Sequence, residues 1–178
     1  MAGRRDEAVN TLAKGIAETD SRELKVAKAN MHQAFEQYEA SRDAYLALLE
    51  EEPDLTLAKN NLAMLYADYL RTPENLAKAR ELAAELQEQD SPAVLDTVGW
   101  VFYRLGDYQQ AITYLQAAVD KIGNSPLLQY HLGMAYYGSG DLGQAKKYLQ
   151  ESVNPPQPYF GLDEAKATLE KINQQIGG

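Results

Sequence analysis

The chain has 178 residues, 45% hydrophobic and 24% charged, a balance ordinary for a folded soluble chain. A net charge of −9 repels a phosphate backbone, so no nucleic-acid partner is expected. Cysteine is absent, which excludes disulfides, thiolate metal sites and cysteine nucleophiles.

From the N-terminus, Arg4 and Arg5 are not followed by an apolar segment, so no signal peptide is read there. Gly3-Arg4-Arg5-Asp6-Glu7-Ala8 with Leu12 reads as the turn and second helix of a partial repeat over residues 1–20, its first helix missing. Residues 22–52 lack both Gly and Pro and form one long helix or two. Two is the preferred reading, with a break near Gln37–Ser41, and Ser41, Tyr45 and Leu48 then stripe the second helix of a unit spanning 22–54.

Over 55–91, Asn61-Leu62-Ala63 with Tyr66 marks one helix, and Ala79, Ala83 and Leu86 mark another. Their long turn surrounds Arg71-Thr72-Pro73-Glu74-Asn75, where proline ends one helix and starts the next. In 92–125, Leu95, Val98, Gly99 and Phe102 share one helical stripe and Gly106-Asp107 breaks the chain. Ala111, Leu115 and Ala118 stripe the returning helix. Residues 126–158 repeat this hairpin, with Pro126 at a helix start that needs no N–H. The proline-rich Asn154–Pro158 linker leads to a helix within 159–178, whose Leu162, Ala165, Leu169 and Ile172 form one stripe.

The repetition is measurable. Gly99 and Gly133, Gly106 and Gly140, Ala111 and Ala145, and Leu115 and Leu149 each lie 34 residues apart. Laying 92–125 on 126–159 gives eleven identities, where unrelated stretches would share about two. A period of this length signals stacked helical hairpins. Gly99 and Ala111 are small enough for two antiparallel helices to approach closely, and Gly106 suits a turn that needs positive φ.

Leu95-x2-Val98-Gly99-x2-Phe102 with Ala111-x3-Leu115 resembles the tetratricopeptide repeat (TPR), as does Gln129-x2-Leu132-Gly133-x2-Tyr136 with Ala145-x3-Leu149, closed by Pro155-Pro156. The departures are Leu95 and Gln129 at the first aromatic position. The resemblance implies an all-α, right-handed solenoid of antiparallel helix hairpins with a C-terminal capping helix, residues 1–178 forming a single array. It also implies a protein or peptide partner held in a concave groove.

A narrower resemblance rests on Lys59-Asn60-Asn61-Leu62-Ala63, Leu95-Asp96-Thr97-Val98-Gly99-Trp100 and Tyr130-His131-Leu132-Gly133. These look like repeats of bacterial TPR lipoproteins linked to exopolysaccharide and PEP-CTERM protein-sorting systems. That likeness implies an exported, membrane-anchored parent and a scaffold role. Without it the expected compartment is the cytoplasm. No apolar run reaches the roughly 18 residues of a membrane span, so this segment itself is not expected to insert in a bilayer.

The first helices of TPR hairpins line the groove. The family's ligand-contacting positions fall here on Asn60, Met64, Asp96, Trp100, Tyr103, Arg104, Tyr130, His131, Met134 and Tyr137. At about 100° per residue, the stripe of Asp96, Trp100 and Tyr103 lies roughly 115° from the stripe of Leu95 and Val98, facing either solvent or the next hairpin. Chaperone-binding family members grip paired carboxylates with Lys, Asn and Arg. The matching positions are Asn60, Met64, Thr97, Leu127 and His131, without a cation, so clamp-type binding is not expected.

His131 falls one repeat beyond Asp96, which brings the pair within reach across adjacent helices. No nucleophile or oxyanion donor accompanies it, and no zinc-binding pattern surrounds either histidine, so neither catalysis nor a cofactor is expected. A second reading of the array is self-assembly into a homo-oligomer through exposed end repeats.

Overall fold

The computed structural model describes residues 2–123, 125–155 and 157–176, with side chains from Glu7 onward. Every regular element among them is a helix: α1 (Ala2–Thr19), α2 (Arg22–Ala34), α3 (Tyr38–Glu51), α4 (Thr56–Asp68), α5 (Pro73–Leu86), α6 (Pro92–Arg104), α7 (Tyr108–Ile122), α8 (Pro126–Ser139), α9 (Leu142–Ser152) and α10 (Leu162–Ile176). The chain divides into two compact units, Met1–Leu82 and Ala83–Gly178, with the boundary inside α5.

In the N-terminal unit, α1 packs on α2, α2 on α3 and α3 on α4. The stretch 22–51 is two helices, separated at Phe35–Gln37. Glu36 adopts φ 62°, and the N–H of Gln37 reaches back to the carbonyl of His32 at 2.9 Å, so the end of α2 is capped as the chain reverses. Across the hairpin the Ser41 hydroxyl donates to the Ala29 carbonyl at 2.9 Å, an approach that larger side chains at these positions would block. Tyr45 and Leu48 are buried beside that contact.

The turn expected at Gly3–Asp6 is not there, since α1 runs through it. A helical glycine costs only about 1 kcal/mol, too little to end a helix that packs on its neighbour. Between α4 and α5 the long turn forms as expected. The Asn75 side chain donates to the Leu70 carbonyl at 2.8 Å, and the Thr72 hydroxyl accepts from the Asn75 N–H. Pro73 then opens α5, where no donor is lost.

In the C-terminal unit, α6 pairs with α7 and α8 with α9, while α7 packs on α8 and α10 on α9. Gly106 at φ 82° and Gly140 at φ 87° make the two reversals. Asp107 and Asp141 follow them, each side chain accepting from a backbone N–H of the next helix, that of Gln110 or Gln144. A Cβ on Gly99 would fall 2.6 Å from Leu115 Cγ, and one on Gly133 would fall 2.8 Å from Leu149 Cγ. The repeated glycines are therefore steric necessities. Leu95, Leu115, Ala118, Leu128, Leu132 and Ala135 build the core around them.

Helix α10 buries Ala165, Thr168 and Ile172 and exposes Asp163, Glu164, Lys166, Glu170 and Lys171. An apolar inner side and a polar outer one are what a terminal cap requires. Leu162 and Leu169 of the expected stripe are half-buried. Pro156 of the expected closing pair lies outside the described residues.

Candidate partner-binding site

Eight of the ten candidate residues fall on α6 and α8, and they occupy two layers. Asp96, Trp100, Tyr130, His131 and Met134 are buried, whereas Tyr103, Arg104 and Tyr137 are half-buried. The other two, Asn60 and Met64, lie on α4 of the N-terminal unit and are half-buried there.

The buried layer is built on Trp100, which has no exposed surface. Its ring stacks on His131 with centroids 3.9 Å apart and on Tyr103 at 4.6 Å, and Tyr130 tilts against it at 5.4 Å. The Arg104 guanidinium sits 4.4 Å from the same ring, a cation–π distance. His131 is oriented from its other side, where Nδ1 lies 2.6 Å from Asp96 Oδ1 and both side chains are almost wholly enclosed. The Asp–His contact inferred from the spacing is thus present. Thr97, the adjacent hydroxyl, is committed to the Ala93 carbonyl at 3.1 Å and is not presented to the imidazole as a nucleophile would be. The contact with Asp96 and the stack on Trp100 together hold the imidazole in place.

Tyr130 anchors the opposite edge, where its hydroxyl donates to Glu164 at 2.7 Å. Burial, then that bond and the glutamate's charge, push the Tyr130 phenol well above its usual range. Burial also pushes Tyr103 up to about 12, with Glu164 adding to the effect and Arg104 opposing it. Both rings therefore stay neutral throughout the physiological range.

Five participants carry no repeat signal. Tyr108 lies against Gly138, whose Cβ would fall 2.4 Å from Tyr108 Cε1, and it approaches Tyr103 at 5.9 Å. Tyr159 tilts against Tyr130 at 5.6 Å. Gly161, at φ 98°, leaves room for the Tyr130 ring, which a Cβ would meet at 2.4 Å. Tyr159, Gly161 and Glu164 follow the second hairpin, in a stretch that has no copy 34 residues away, while Tyr108 and Gly138 face partners that differ between the two copies.

Antiparallel α-hairpins at a 34-residue spacing, each closed on a glycine–leucine contact, define a helical-repeat protein. Residues 102–157 match the tetratricopeptide-repeat family model. The fold is that of a tetratricopeptide-repeat solenoid, and the family match covers its C-terminal hairpins.

It is 37% identical over 76 residues to a TPR repeat-containing protein of Pseudomonas aeruginosa, a match spanning 42% of this chain and 12% of that protein. Among solved structures, a tetratricopeptide repeat protein from Parabacteroides merdae superposes with a TM-score of 0.74 at 15% identity, covering 98% of this chain and 67% of that one. YrrB, a TPR protein with an unusual peptide-binding site, gives 0.63 at 18% identity over 93% of this chain and 84% of its own. No helix among the described residues is long and apolar enough to cross a membrane, and no group of three or more metal-ligating side chains occurs among them.

Proposed function

We propose that Tyr103, Arg104 and Tyr137 contact a segment of a partner protein, and that Asp96, Trp100, Tyr130, His131 and Met134 form the layer that holds them in place. The observation that carries this reading is the division of labour on α6 and α8, with partly accessible side chains standing on an enclosed aromatic platform. Tyr and Arg are the residue types that most often dominate interfaces, and a ring already fixed by stacking loses little entropy on binding. The peptide-binding site of YrrB supports a peptide as the ligand. On α4, Asn60 and Met64 are proposed as a partner contact of the N-terminal unit taken by itself. The resemblance to exopolysaccharide-associated TPR lipoproteins supports a scaffold role in a bacterial export system.

Panning a peptide library against the chain tests the contact. Selected peptides should lose about 2 kcal/mol of affinity on Tyr137→Ala or Tyr103→Ala, with melting unchanged for Tyr137→Ala. Undiminished binding by both variants would remove this face from consideration. Trp100→Ala is unsuitable as a contact probe, because emptying so large a buried volume costs about 3–5 kcal/mol of stability. Sedimentation of the free chain separates this reading from self-assembly, in which mass would rise with concentration.

A further inference from the structure

The hairpin of α2 and α3 is in the same register as that of α6 and α7. Ala29 meets Ser41 twelve positions later, as Gly99 meets Ala111. In that register Lys25 and Lys28 stand where α6 has Leu95 and Val98, whose side chains are buried. A lysine cannot fill a core position, because its ammonium must remain near water while only its stem packs. Beside these lysines lies a solvent-open cavity of about 190 Å³ between α1, α2 and α3. Ile16, Ala44, Ala47 and Leu48 give it apolar walls, and Lys25, Lys28 and Glu51 give it charge.

Those charges do not balance. Lys25 is satisfied by Asp20 at 2.7 Å and Glu51 at 2.5 Å, which also uses the carboxylate in the wall. Lys28 is half-buried, and no ion pair or hydrogen bond engages its ammonium among the described residues. Among the described residues, the cavity thus joins apolar walls to one cation without an ion pair.

We propose that this cavity is a second recognition site, which takes one apolar side chain of a partner peptide with a carboxylate beside it. Size selects the occupant. Pockets for cofactors and drug-sized ligands run to about 300–1,000 Å³, whereas a cavity of about 150 Å³ holds a single benzene ring. One leucine- or phenylalanine-sized group matches that volume. So small an anchor holds a segment that has further contacts better than it holds a free molecule, which favours a peptide. The neighbouring carboxylate answers Lys28.

The test uses the full chain with ¹³C-labelled methyl groups, titrated with a blocked pentapeptide carrying a central leucine followed by aspartate. Saturable shifts are expected at the Ile16 and Leu48 methyls. Binding should weaken about threefold when asparagine replaces the aspartate, the scale of an exposed ion pair. Lys28→Gln should abolish that preference, and Ala47→Phe, at an exposed position lining the cavity, should block the shifts while leaving the circular dichroism spectrum unchanged. Silent methyls at millimolar peptide, equal binding of the aspartate and asparagine peptides, or wild-type selectivity in Lys28→Gln would each overturn the proposal.

Discussion

The α2/α3 hairpin and the α6/α7 and α8/α9 hairpins reach one backbone from different residues. All three reverse through a residue at positive φ, namely Glu36, Gly106 and Gly140. In all three the next residue bonds back to a carbonyl five positions earlier, at 2.9–3.0 Å. The C-terminal hairpins add glycine at the reversal and a capping aspartate after it. The N-terminal one has Glu36 and Gln37, and no side-chain bond caps α3. It also puts lysines at the positions of Leu95 and Val98. Small residues at the crossing point are common to all three, so steric permission defines the hairpin. Glycine, cap and apolar filling set how firmly it holds.

That contrast can be challenged by experiment, with amide hydrogen exchange reporting each hairpin separately. The largest effect is expected for Leu149→Ala, which should cost about 2–5 kcal/mol in the α8/α9 hairpin, because Leu149 is wholly buried against Gly133. Ile16→Ala, at a half-buried position on the N-terminal cavity, should cost clearly less. Equal losses would erase the distinction between the units. Gly133→Leu comes next, at roughly 1–3 kcal/mol from overpacking against Leu149.

Alkaline titration should then weaken the C-terminal unit. Tyr103 has a folded-state value raised to about 12, so its contribution is complete below the unfolded value of about 10 and is lost as pH rises through 12. Tyr45 in the N-terminal unit is raised by burial too, but the hydrogen bond that the Asn61 side chain donates to its oxygen works against the shift. Exchange protection should therefore fall first in α6 and α8. The smallest change runs the other way. Glu36→Gly should stabilise α2/α3 by about 0.5–1 kcal/mol, since a side chain in the left-handed region is strained and glycine is not. An unchanged or lower melting temperature would show that the strain is already relieved.

The helical hairpins were legible because Gly99, Gly106, Ala111 and their mates 34 residues on are small or flexible for reasons of packing alone. Helical phase put Trp100 and Tyr103 on one stripe, but phase cannot say that the next hairpin's His131 and Tyr130 will cover the first and leave the second partly open. Tyr108 was missed because its contact with Gly138 has no counterpart in the other copy. Lys25 and Lys28 lie on a helix rich in polar residues, where a lysine carries no signal of its own. Their unusual position emerges only once the Ala29–Ser41 crossing fixes the register.

Gly161 bears on how the chain can be engineered. Its missing side chain gives the Tyr130 ring a seat, and Glu164 one turn later receives that ring's hydroxyl, so the start of α10 is latched to α8 by one tyrosine. A reporter domain or affinity tag spliced between Tyr159 and Glu164 would spring that latch. The exposed turn at Glu88 and Gln89, or a graft beyond Ile176, would leave it closed.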